Sequence, residues 1–147
     1  MKMLYKIKKF NISVHFNFPG EYTGNESIYD TELKKMFLFN YQTKQENISA
    51  SCLSVKEDIK LENYVEANLK SFSKISGTVV STKKHDNKFF VLMELPYDKV
   101  IQIYFIRKQK LYCFSATISL SAEVSNLLTF NTLKKMLHII SSIKDIK

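Results

Sequence analysis

Three histidines and two cysteines are the side chains in this sequence best suited to catalysis or metal binding. His15, His85 and His138 lie far apart, and none has a second histidine or cysteine at metal-ligand spacing. Cys52 and Cys113 lie within apolar alternating segments, where a free cysteine commonly acts as a small hydrophobic residue, and no CxxC is present. We therefore predict no metal site, and we interpret all five residues as structural or simply exposed.

The other common catalytic patterns are equally weak. Glu57, Asp58, Glu62 and Glu66 lie on or beside the polar face of a predicted helix, which is typical of a solvated surface rather than of a glycosidase pair. The three glycines are scattered, so no phosphate-binding glycine loop is possible, and GxSxG is absent. We predict that the chain is not an enzyme and takes no cofactor. The alternative is an enzyme whose pocket combines His85 or His138 with carboxylates.

Positive charge is the feature that indicates a partner. The 147 residues carry a formal net charge of +8, mostly from lysine, and Arg107 is the only arginine. Basic residues form two clusters, each near aromatic residues. The N-terminal cluster is Lys2, Lys6, Lys8 and Lys9, with Tyr5 and Phe10. The cluster at a predicted hairpin tip is Arg107, Lys108 and Lys110, with Tyr104 and Tyr112. This charge favours an acidic partner. A nucleic acid is the alternative partner. It is less favoured because proteins usually contact bases and phosphates through arginine, and this chain has only one.

Period-two alternation predicts the strands that precede the first helix. Residues Tyr5 to Phe18 alternate as one strand that Pro19 and Gly20 end, and the polar segment Glu21 to Glu32 is interpreted as a loop. Two more strands, Met36 to Gln42 and Ile48 to Val55, are joined as a hairpin.

Helical spacing then alternates with a run of strands. The apolar residues from Leu61 to Phe72 predict a helix with Asp58 as its N-cap, and Gly77 follows it. A meander of four strands comes next: Thr78 to Lys83, Lys88 to Leu95, Lys99 to Arg107 and Lys110 to Leu120.

A second helix, Asn131 to Ile143, closes the chain, with Thr129 or Asn131 as its cap. The predicted fold is α+β: a twisted antiparallel sheet of about seven strands, in the order three strands, helix, four strands, helix, with both helices packed on it. No linker, signal peptide or membrane span is visible, so we predict one soluble, cytoplasmic domain over residues 1–147.

Three segments together resemble the PsbP-like fold, whose superfamily includes the DcrB-like proteins. ISVHFNFPGE, at Ile12 to Glu21, resembles its opening strand, which ends in Phe-Pro or Leu-Pro. LENYVEANLKSFSK, at Leu61 to Lys74, resembles the helix after its third strand. YFIRKQKLYCFSAT, at Tyr104 to Thr117, resembles the hairpin before its C-terminal helix.

This resemblance implies a protein that binds other proteins. Members include EagR-type chaperones, which hold apolar N-terminal segments of type VI secretion effectors, and immunity proteins that block a toxin. Glu21, Thr23 and Asn25 echo the EagR pattern, but the added strand within Leu33 to Thr43 and the scarcity of glycine depart from it. We therefore expect sequestration of a cognate bacterial toxin or effector, chiefly as an immunity protein. An EagR-type chaperone and a nucleic-acid-binding module stay as alternatives.

Loop position and residue type select five candidate residues for partner binding. Aromatic and basic side chains on loops are frequent anchors of interfaces, and here they would meet a partner that is acidic at the contact. The candidates are Tyr22, Tyr29, Tyr97, Arg107 and Lys108.

Overall fold

Eleven strands and two helices make up the part of the chain that the computed structural model describes. That part comprises residues 3–7, 12–16, 21–24, 29–30, 35–54, 60–73, 78–95, 97–119 and 126–145. The elements follow in the order β1 (Met3–Ile7), β2 (Ile12–Phe16), β3 (Glu21–Gly24), β4 (Tyr29–Asp30), β5 (Lys35–Gln42), β6 (Glu46–Ser54), α1 (Leu61–Ser73), β7 (Thr78–His85), β8 (Lys88–Glu94), β9 (Asp98–Arg107), β10 (Lys110–Ser119), α2 (Asn126–Ser141) and β11 (Lys144–Asp145).

A large antiparallel sheet forms the centre of the fold. Its strands lie in the order β3-β5-β6-β10-β9-β8-β7, and β4 also pairs with β5. The meander β7–β10 is held by short turns. Asp86 and Asn87 have φ of 52° and 62°, and Lys108 and Gln109 have φ of 50° and 62°, which is the geometry of a type I′ hairpin turn. A small second sheet, β1-β2-β11, joins the two ends of the described chain.

The two helices cover opposite faces of the large sheet, and β9 shows why. Ile101, Ile103 and Phe105 point to one face and pack in the cluster that contains α2. Val100 and Tyr104 point to the other face and pack in the cluster that contains α1. A strand that is apolar on both faces belongs in the middle of a layered structure, because each face must be shielded from water.

The structure confirms the α+β class, the antiparallel sheet and its two helices. The first helix and the four strands of the meander lie where the periodicity placed them. The hairpin between the second and third predicted strands is also confirmed: the Thr43 amide donates to the Glu46 carbonyl at 2.9 Å, and Thr43 Oγ1 accepts from the Glu46 amide at 3.2 Å. The large sheet has eight strands in the described chain rather than about seven.

The predictions for the N-terminal part were wrong in two places. The single strand at Tyr5 to Phe18 is an antiparallel hairpin of β1 and β2, with Lys6 opposite Ser13. Alternation is clear only in β2, and the side-chain pattern alone does not reveal the reversal between the two strands. The expected loop at Glu21 to Glu32 contains β3 and β4, which pair with β5. Main-chain hydrogen bonds to a neighbour allow polar residues to form an edge strand.

The last helix also begins earlier than predicted. It starts at Asn126, so Thr129 and Asn131 lie within its first turns rather than at its cap. The helix ends at Ser141 rather than at the predicted Ile143, and β11 follows it, where Lys144 pairs with Ser13 of β2. The proposed cap at Asp58 and the glycine at Gly77 lie outside the described residues.

Candidate functional site

The structure does not bring the five predicted partner-binding residues together. Tyr97 is 82% exposed in the turn before β9, and Lys108 lies in the turn after it. The ten residues of β9 separate them by about 30 Å. Tyr22 and Tyr29 lie in β3 and β4, beside β5, and their side chains are outside the described part. A role in partner binding stays a prediction for each residue.

The basic hairpin tip has an internal partner. Arg107 Nη1 donates to Asp145 Oδ1 of β11 at 3.0 Å, and Lys108 Nζ donates to Asp145 Oδ2. These two hydrogen bonds, from Lys108 and then Arg107, lower the pKa of the Asp145 carboxyl below its usual value. Tyr104 and Tyr112 are each only 1% exposed, so neither ring offers a surface on which a nucleic acid base stacks.

An open apolar groove of about 380 Å³ lies between α2 and the β7 end of the large sheet. Its floor is formed by apolar side chains of β8 and β9, namely Phe90, Leu92 and Ile101. One wall is a row of α2 residues spaced four apart, namely Thr129, Leu133 and Leu137. The far side is bounded by β7, the last strand of the sheet. We call this feature the α2–β7 groove.

Basic residues line the β7 side of the α2–β7 groove, and another follows a groove-lining leucine of α2. Alternate residues of β7, including Lys83 and His85, line the groove on the strand side. On the helix side, Phe130 is 53% exposed, and Lys134 Nζ lies 4.8 Å from the centre of its ring. Phe130 lies one turn before Leu133 on α2, so it extends the apolar wall toward solvent. The groove is thus apolar at its floor and positive at its edges.

The groove wall formed by α2 includes a side chain with a hydroxyl group, Thr129. Its Oγ1 atom is buried, and it has no hydrogen-bond partner within the described structure. A buried hydroxyl without a partner is costly, by about 1–3 kcal/mol.

A buried polar cluster fixes α2, and with it the groove wall. Glu46, the first residue of β6, is 4% exposed and accepts hydrogen bonds from Thr132 Oγ1 and Lys135 Nζ of α2. Lys135 Nζ also donates to the Tyr41 hydroxyl at 3.2 Å. Burial acts to lower the pKa of Lys135, but its hydrogen bonds to Glu46 and Tyr41 outweigh burial and raise that pKa. The cluster therefore ties the helix to the sheet by charge-assisted hydrogen bonds.

The residues considered for catalysis do not assemble into a site in the described structure. Burial raises the pKa of the Cys52 thiol to about 12, so it stays protonated and is a poor nucleophile at neutral pH. His85 lies at the end of β7 and His138 lies on α2, both exposed. Among the described residues, no group of three or more potential ligands could hold a metal ion. Within the same residues, no helix is long and apolar enough to cross a membrane.

Sequence reasoning missed the groove, although α2 carried a signal for it. Apolar residues such as Leu133 and Leu137 recur at helical spacing along α2, yet its most deeply buried residues are Thr132, Met136 and Ile139, each 0% exposed. Leu133 and Leu137 are only partly buried. The apolar arc of α2 is therefore wider than one sheet-facing stripe, which is what exposes part of it beside the sheet.

Comparison with known proteins finds a similar fold among solved structures. No protein-family model matches the chain, and no curated protein matches it. The solution structure of cyanobacterial PsbP (CyanoP) from Synechocystis sp. PCC 6803 is similar, with a TM-score of 0.62 over 98% of this chain and 92% of that one, at 10% sequence identity. The chain therefore has a PsbP-like α+β fold.

Proposed function

We propose that this chain is a non-catalytic protein that binds one partner polypeptide in the cytoplasm and holds it inactive, as an immunity protein does with its toxin. The α2–β7 groove carries this proposal. It combines an exposed apolar surface with polar, charged rims, which is the composition of a protein-binding patch.

The charge of the chain supports an acidic partner. The net charge of +8 would speed association with such a protein, and the lysines at the groove would favour it over basic competitors. A partner that fills the groove would shield Phe130, the side chain on the helix rim that is 53% exposed.

An export chaperone of the EagR type is the second candidate, and the same groove supports it. A chaperone of this kind shields an apolar segment of its effector until export. Both functions need the groove, and they differ in what happens to the partner when the chain is missing.

The first test is a pull-down of the tagged protein from its own cells, at low salt and at about 0.5 M salt, where exposed electrostatic contacts are strongly screened. One stoichiometric protein partner that survives the salt is the expected result. Recovery of nucleic acid alone, lost at high salt, would overturn the proposal and assign the lysines to phosphate contacts.

Deleting the gene for this chain then separates the two protein-binding functions. If the chain is an immunity protein, cells that keep the partner gene stop growing, and growth returns when the chain is supplied again. If the chain is a chaperone, those cells grow normally, but the partner is degraded or is no longer secreted.

A further inference from the structure

We propose that the α2–β7 groove receives an amphipathic α-helix of the partner, which lies beside α2 on β7 and β8 and places acidic residues against both rims. This inference rests on the proposed function and names the chemistry of the segment that is bound.

The dimensions of the sheet leave room for one helix on this face. Neighbouring strands lie about 4.8 Å apart, and packed helices lie about 8–10 Å apart. Because α2 contacts β10 and its side chains reach Ile101 of β9, a second helix at this separation lies over β8 and β7. On the opposite face, α1 already contacts β7, β8 and β9. A helix in the groove would therefore complete the third layer over these strands.

The wall formed by α2 is suited to a helix. Thr129, Leu133 and Leu137 form an i, i+4, i+8 row, the type of ridge that packs into the groove of a neighbouring helix. An added β-strand is a poorer fit. It would pair with the edge of β7 that has no neighbouring strand among the described residues and would extend the sheet, so the space above β8 and β9 would stay empty.

The rims determine the charge of the incoming helix. Lys83 and His85 line the groove on the strand side, and Lys134 directly follows the lining residue Leu133 on α2. In the described structure, neither Lys83 nor Lys134 forms an ion pair, and no carboxylate lines the groove. A helix with an apolar stripe flanked by Asp or Glu therefore complements the groove, as charged flanks do in coiled coils.

A library of displayed peptides tests whether the groove prefers an amphipathic helix with acidic flanks, and it does not require the partner to be known. Random segments of about 16 residues, the length of α2, are selected on the wild-type protein. Segments are discarded if they also bind the rim variant, Lys83→Glu with Lys134→Glu. The expected winners carry apolar residues at i, i+3 or i+4 and i+7, with Asp or Glu beside them. Winners with period-two alternation, basic winners, or no enrichment at all would each overturn the inference.

Affinity measurements on one winning peptide complete the test. By fluorescence anisotropy, binding to the rim variant should be weaker by at least about tenfold. It should recover when the acidic residues of the peptide are changed to lysine. The control, Lys44→Glu with Lys60→Glu, changes the same charge at exposed sites away from the groove and should bind like the wild type. Equal binding to the rim and control variants would contradict the inference.

Repeating the pull-down from cells with the rim variant separates the inference from the proposed function. If the variant retains the stoichiometric partner, partner binding stands and docking in the groove is wrong. If the wild type itself retrieves no protein, the proposed function fails.

Discussion

Lys135 of α2 donates a hydrogen bond to Glu46 at the start of β6, and the carboxylate that it contacts is almost completely buried. The pair joins the helix to a central region of the sheet across 89 residues of sequence. Thr132 and Tyr41 complete the cluster, so the position of α2 depends on polar contacts as well as on its apolar face.

Lys135→Met tests the contribution of this pair to stability. Loss of the ammonium leaves the Glu46 charge buried with fewer partners, and a quarter of the Lys135 side chain is exposed. We therefore expect a loss of about 2 kcal/mol in the free energy of unfolding, below the value for a fully buried pair. Urea unfolding measures it. Lys134→Met, at the exposed neighbouring position, is the matched control and should change stability by less than about 0.5 kcal/mol.

Asp145→Asn tests the contact between β11 and the β9–β10 turn. Because Lys108 and Arg107 lower the pKa of Asp145 in the folded state, its stabilising effect is present above the unfolded pKa, about 4, and is lost as pH falls through the folded pKa. Thermal unfolding of wild type and variant should therefore differ in Tm near neutral pH and converge in acid. A difference in Tm that is the same at about pH 6 and about pH 3 would contradict this assignment.

Alkylation tests the burial of Cys52. In a Cys113→Ser variant, Cys52 is the only thiol, and it is 1% exposed. Its pKa of about 12, against 9.0 for a free thiol, lowers the thiolate fraction by about a thousandfold. Iodoacetamide should label the native variant far more slowly than the unfolded one, as mass spectrometry will show. Comparable rates in the two states would mean that the strand is accessible.

Gln109→Gly tests the turn between β9 and β10. Gln109 has a φ of 62°, and a side chain in this left-handed conformation costs roughly 1 kcal/mol that glycine avoids. Because glycine also has a larger conformational entropy in the unfolded chain, we expect a smaller net gain, about 0.5 kcal/mol, in urea unfolding. Asn87 has the same φ in the β7–β8 turn, but asparagine tolerates it better, so Asn87→Gly should gain less. An equal or larger gain at Asn87 would contradict this explanation.

The middle of the fold was predictable because its local signals are strong. The helix at Leu61–Ser73 has a clear apolar stripe, and β7 to β10 are linked by short turns that leave only antiparallel pairing. Long, periodic segments with short connections determine their own structure.

The edges of the fold and the groove were not predictable for a different reason. β3, β4 and β11 are short, and they exist through main-chain pairing with other strands: β3 and β4 with β5, and β11 with β2 at the other end of the described chain. The groove depends on how far α2 reaches across the sheet, which Glu46 helps to set. The wide apolar arc of α2 indicates that part of the helix surface is exposed, but the location of the groove arises from the contact between α2 and the sheet.

The pairing of β11 with β2 has a consequence for the order of folding. Lys144 lies opposite Ser13, so this contact closes a loop of 131 residues. The strands from β7 to β10 meet their neighbours through turns of a few residues, at a much smaller entropic cost. We expect the meander and the local β1–β2 pairing to form early and β11 to join the small sheet last. During synthesis, the edge of β2 that pairs with β11 must then stay without that partner until almost the whole described chain has left the ribosome.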